Sequence, residues 1–102
     1  MKLIKQLSEF IEEELDGAEC YAKKAVKFKT ERPELGKMFF MMATEEMNHV
    51  KYLHDAVVKI IEEYRKEKGE PPAPMLAVYD YLHEKHIEQA KEVRIIQEQY
   101  KE

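Results

Sequence analysis

The sequence predicts an all-α fold: a long antiparallel helical hairpin followed by a third helix. Three observations predict it. Apolar residues recur every three or four positions over long runs. The prolines and glycines fall mostly at two joints, one at Pro33 and one across 69–74. No stretch alternates apolar and polar residues as a half-buried strand would. The 102 residues make a single domain, divided into a hairpin over 1–68, a proline-rich connector over 69–74 and a C-terminal helix over 75–102.

The first helix is expected from Lys2 to about Lys29, with Leu7, Ile11, Leu15, Ala18, Ala22 and Ala25 on its inner stripe. Gly17 interrupts it, at up to about 1 kcal/mol against alanine, and suits a close approach by a second backbone. The opposite face carries Lys5, Glu9, Glu12, Lys23, Lys24 and Lys27, a solvated surface. Thr30-Glu31-Arg32-Pro33 is the first joint, because Pro33 favours the first position of a helix and biases Arg32 away from one.

The second helix is expected from Pro33 to Lys68. Its stripe runs through Leu35, Met38, Phe39, Met42, Glu46, His49, Leu53, Ala56, Val57, Ile60 and Tyr64, and it closes on Arg65-Lys66-Glu67-Lys68-Gly69, basic side chains before a glycine. Phe40 and Met41 are placed to meet another helix or subunit. After the stiff Glu70-Pro71-Pro72-Ala73-Pro74 connector, a third helix is expected from Met75 to Tyr100, with Val78, Tyr79, Leu82, His86, Ala90, Val93 and Ile96 on one face.

The informative feature is polar. Glu46 and His49, three residues apart, point to one side of the second helix, into its apolar stripe. Burying an unpaired carboxylate is costly, and a bound cation can offset that cost for several acids together. A hairpin folded at about residue 31 sets Glu14 level with Asn48, between the two, and Glu14 also lies on the inner stripe of the first helix. Height and face both select it. Glu19 is about one turn off and at the stripe's edge; Glu13 is expected to face outward. Each hairpin thus supplies one lone glutamate and one Glu-x-x-His pair, half of the ligand set of a four-helix di-metal site. Two hairpins face to face about a two-fold axis would supply the whole set, and four carboxylates would balance two divalent ions. A homodimer or larger homo-oligomer is therefore expected. Carboxylate and imidazole donors suit iron or manganese and do not exclude zinc.

Composition narrows the function classes. With 44% hydrophobic and 37% charged residues and a net charge of −4 of interspersed sign, the chain lacks the basic patch of a nucleic-acid binder. The single cysteine, Cys20, excludes an internal disulfide and a four-cysteine metal site and suits the cytoplasm. No signal peptide and no membrane-spanning run of about 18 apolar residues is read.

Glu14-Leu15-Asp16-Gly17-Ala18-Glu19-Cys20-Tyr21-Ala22 followed by Glu46-Met47-Asn48-His49 resembles the ferritin-like di-iron superfamily, in particular rubrerythrin-type proteins and the small encapsulated ferritins. The resemblance covers roughly residues 7 to 64. In that family a ligand glutamate precedes a tyrosine by seven residues, as Glu14 precedes Tyr21, and a Glu-x-x-His pair follows on the next helix, here 32 residues after Glu14. The resemblance implies a four-helix bundle completed by dimerisation, in which Glu14, Glu46 and His49 of each chain bind two iron ions. Glu14 would be a terminal ligand, Glu46 a bridge, and His49 would complete each iron. It further implies ferroxidase chemistry, the oxidation of ferrous iron by oxygen or peroxide. The chain departs from the pattern in three ways. It lacks the four-cysteine electron-transfer site of rubrerythrins, it holds one ligand hairpin where storage ferritins hold a full bundle, and Tyr100-Lys101-Glu102 follows directly on the helix, so no encapsulin-targeting tail is read.

Other features have plainer readings. His83 and His86 share a face, and Asp80 repeats the acid-x-x-His spacing with His83, which makes His83, His86 and Glu19 secondary metal candidates; a histidine pair at a helix contact explains the first two as well. His54 reads as a surface or interface group and Cys20 as structural. Tyr21, on the face of Glu14, suits either packing or a hydrogen bond to a ligand. A different class of function fits the same residues: a non-catalytic helical dimerisation or interaction module, its polar or zinc-bound cluster fixing register.

Overall fold

The computed structural model describes residues 2–102, and every element among them is helical: α1 (Lys2–Phe28), α2 (Pro33–Lys68) and α3 (Ala73–Lys101). α2 runs antiparallel to α1, and α3 returns alongside α1. α3 packs chiefly on α1 of its own hairpin, and it meets α2 mainly through side chains. No described helix is long and apolar enough to cross a membrane.

The joints follow local chemistry. Arg32 takes an extended conformation (φ −136°) ahead of Pro33, its carbonyl accepting from the amides of Leu35 and Gly36, while its guanidinium donates to Glu34 at 2.8 Å. That contact holds the Glu34 carboxyl below the usual carboxylate range. α2 ends at Gly69, whose φ of 79° suits only a residue without a side chain and lets its amide reach the Arg65 carbonyl. α3 starts at Ala73, earlier than Met75, because Pro74 falls in the first turn, where its missing N–H has no intrahelical partner to lose.

The core has an aliphatic part, around Leu15 and Val57, and a small-residue part, around Ala18, Ala22 and Ala43. Ile11, Leu15, Ala18, Ala22 and Ala25 of α1 are buried, as their spacing predicts, and meet Gly36, Ala43, Val57 and Ile61 of α2 and Val93 of α3. The buried line of α2 is displaced from the expected stripe: Gly36, Ala43 and Ile61 lie off it, while Phe39, Met42, Leu53 and Ile60 on it are only half-buried. α2 has an apolar arc wider than a single contact, and this chain covers one side of it. On α3 the expected face is buried in part; Val93 is fully enclosed, but Val78 is 60% exposed. Phe40 meets another helix, stacking on Tyr100 with ring centroids 4.7 Å apart, whereas Met41 is exposed.

The close backbone approach expected at Gly17 occurs at Gly36, where an added Cβ would lie 3.2 Å from backbone atoms of Ala25 and Lys29. At Gly17 the near neighbour is a side chain, the Glu46 carboxylate, at an ordinary contact distance of 3.4 Å. The two glycines should therefore respond oppositely to alanine. Gly17→Ala should stabilise the chain by up to about 1 kcal/mol through helix propensity. Gly36→Ala, pressing on backbone that cannot turn aside, should destabilise it by roughly 1–2 kcal/mol. Urea unfolding followed by circular dichroism measures both; the same sign for the two would contradict the packing described.

Candidate metal centre

Glu14 and Glu46 reach the site from facing turns of α1 and α2. Around it Gly17 lies against Glu46, Tyr21 stacks on Phe39 with centroids 6.0 Å apart, and Ala25 faces Gly36. Each pairing is within two residues of a hairpin folded at about residue 31. This register sets the His49 Nδ1 atom 3.3 Å from Oε2 of Glu14 and 3.9 Å from Oε1 of Glu46.

One donor atom from each of Glu14, Glu46 and His49 lies within 4.8 Å of the other two, the only such group of three or more acids, histidines or cysteines among the described residues. The side chains of Glu14 and Glu46 are 30% and 25% exposed and that of His49 is 50% exposed. The carboxylates are partly withdrawn from water while one side of the cluster stays open. With no side chain on Gly17, the Glu46 carboxylate lies against the α1 backbone, in space a larger side chain would fill. Two oxygen donors and an imidazole nitrogen, converging from two helices, fit a divalent ion of the iron, manganese or zinc type. The 3.3 Å contact between His49 Nδ1 and Glu14 is a hydrogen bond in the tautomer that carries its proton on Nδ1, and the other tautomer presents a lone pair there. Sequence reasoning missed what lies beside Gly17: the Glu46 carboxylate, at a distance that an added Cβ would tolerate.

The secondary candidates lie elsewhere. Glu19 pairs with Lys23 at 3.7 Å and borders a depression shared with Tyr81, Glu88 and Gln89 of α3, away from His49. Glu13 is exposed. His83 and His86 sit where α3 meets the hairpin, on the far side of α2 from His49. His83 is stacked between His54 (5.1 Å) and Tyr79 (5.7 Å), and neither His83 nor His86 belongs to a group of three metal donors among the described residues. Cys20 is exposed and free.

No protein-family model, curated protein or solved structure matches this chain. The ferritin-like resemblance accordingly stands on its own residues, Glu14, Tyr21, Glu46 and His49.

Burial lowers the pKa of His86 from the usual 6.5, with the positive neighbours His83, Lys85 and His54 adding to the effect and Glu12 opposing it. The unfolded chain then binds this proton more readily than the folded one. The contribution of His86 to stability is complete above 6.5 and is lost as pH falls through its lower folded value. Thermal melts between about pH 7 and about pH 5 should show a falling midpoint, and His86→Gln should make the acid-side slope shallower; an unchanged slope would contradict the assignment.

Proposed function

We propose that the chain is a ferritin-like metal-binding protein working as a homodimer or an assembly of dimers. Two hairpins face each other, and Glu14, Glu46 and His49 of each hold a pair of iron ions between them. The observation that carries this reading is the convergence of three donor atoms from two helices within 4.8 Å, on the face of the hairpin that α3 leaves open. That face also presents apolar side chains a partner would cover: Phe10, at helical spacing from Glu14, is 52% exposed, and Met38, on the stripe of Glu46, is 43% exposed. One chain contributes half of the donors a di-metal centre uses, so the site is complete only when a second copy supplies the rest.

Iron held there would supply a redox couple for oxidising ferrous iron, the substrate, with oxygen or peroxide. The protein's own part is to hold and to position. Glu14 and Glu46 would supply the negative charge that neutralises the cations, and His49 would offer a ring nitrogen beside them. The Glu46 carboxylate lies beside Gly17, and Tyr21, stacked on Phe39, forms an aromatic wall one to two turns along. Manganese and zinc suit the same donors; with zinc the cluster would be structural.

A second reading has one observation in its favour. The His49–Glu14 hydrogen bond of 3.3 Å already pairs polar groups of the cluster without an ion, as a register-fixing polar contact in a non-catalytic dimerisation module would.

Metal analysis separates the two. Protein loaded with ferrous iron and desalted should retain about one ion per chain, and Glu46→Ala should lose most of it while staying helical. No retained metal in either protein would sink the metal reading and leave the dimerisation module. The ferroxidase component is checked separately by absorbance after oxygen is added to ferrous iron: the wild-type protein should accelerate oxidation and Glu46→Ala should not. A wild-type rate equal to that of buffer would eliminate the activity even if metal is bound.

A further inference from the structure

A second feature lies on the opposite side of α2 and does not depend on the metal reading. α2 and α3 are bridged by side chains at two levels. At one, Phe40 stacks on Tyr100 at 4.7 Å and the Gln97 amide donates to the Thr44 hydroxyl at 3.1 Å. At the other, His54 stacks on His83 at 5.1 Å. Between them the helices part around a cleft of about 430 Å³. Ten residues of α2 separate Thr44 from His54, about 15 Å at the helical rise. The cleft is thus too short for another helix and within the roughly 300–1,000 Å³ range of small-molecule sites.

Its chemistry is one-sided. The charged and titratable side chains lining it are Lys51, His54, His83, His86 and Arg94, with no carboxylate among the lining residues. That is a departure from a chain with 21 acidic residues and a net charge of −4. Unpaired surface lysines are common, but here two permanent cations from different helices border one hollow, and neither is in an ion pair with a described residue. Asn48 and Gln97 add amide groups, and Met47, Val50, Ile87 and Ala90 contribute apolar surface. Glu12, the acid that acts on His86, is not among the lining residues.

We infer that this cleft binds a small organic oxyanion, a carboxylate or phosphate carried on a compact apolar body. Lys51 and Arg94 engage the charged head and the imidazole N–H groups direct it, while the body rests on the apolar wall. A planar guanidinium suits bidentate contact with either headgroup, and the aliphatic surface of Met47, Val50, Ile87 and Ala90 beside it accounts for an apolar body in place of a bare ion. Since Lys51 follows His49 by only two residues, it faces away from Glu46 and His49, and an anion held here does not compete with a cation held there.

The test uses the full chain freed of metal by chelation, so that an anion cannot bind through a metal ion, with phenyl phosphate and benzoate as probes and phenol as the neutral control. In amide proton–nitrogen spectra, at least one anion should give saturable shifts around Lys51, His83 and Arg94, and phenol at the same concentration should not. Whichever anion binds more tightly identifies the headgroup. The double variant Lys51→Gln/Arg94→Gln, at exposed positions where folding is checked by circular dichroism, should weaken binding by at least about tenfold. No saturable shifts with either anion, shifts confined to the Glu14 side, equal shifts from phenol, or unchanged affinity in the folded double variant would each overturn the proposal.

Discussion

The molecule depends on how closely α1 and α2 approach. Ala18, Ala22, Ala25, Gly36 and Ala43 line their shared contact with almost no side-chain bulk, so the helices meet nearly backbone to backbone at Gly36. A core of larger residues would hold the axes apart, and short carboxylates on one helix would no longer reach an imidazole on the other. The alanines thus do more than fill space: they set the separation at which Glu14, Glu46 and His49 converge. The cost is a thin core. Small side chains remove little apolar area from water, and Leu15, Val57 and Val93 are the largest fully buried side chains.

A second consequence follows from where α3 docks. It packs along α1 and meets α2 mainly through side chains, and this leaves the hairpin with two unlike sides. One carries the acidic cluster among half-buried Phe39, Met42 and Leu53. The other, between α2 and α3, is basic. The two faces of α2 thus differ in the sign of charge they present, and each favours a ligand of the other sign. The arrangement is local and chemical, and no family relationship is needed to see it.

The hairpin was legible because its signals were local and mutually consistent. Helical spacing marks Ile11 to Ala25, Pro33 and Gly69 mark the ends of α2, and a fold near residue 31 places Glu14 beside His49, 3.3 Å from its Nδ1 in the structure. What could not be read was partner choice. α2 is apolar over too wide an arc for periodicity to say which residues face α1, which explains why Gly36, Ala43 and Ile61 were missed. α3 is weakly amphipathic, and nothing in its pattern favours α1 over α2, so Val78 was placed inward and is exposed. The basic cleft was invisible for the same reason: Lys51 and Arg94 are ordinary surface residues until two helices are set side by side.

The three long helices leave the chain a rod, 55 × 18 × 18 Å, with a radius of gyration of 16.4 Å against about 13 Å for a compact domain of this size. Friction in solution grows with length more than with mass, so a lone 12.2 kDa chain of this shape migrates through a sizing column as though it were heavier. A pair packed side by side would add girth without adding length and so become more nearly spherical. Elution volume therefore understates the difference between one copy and two, and light scattering or sedimentation equilibrium, which weigh particles regardless of outline, are the measurements that count subunits here.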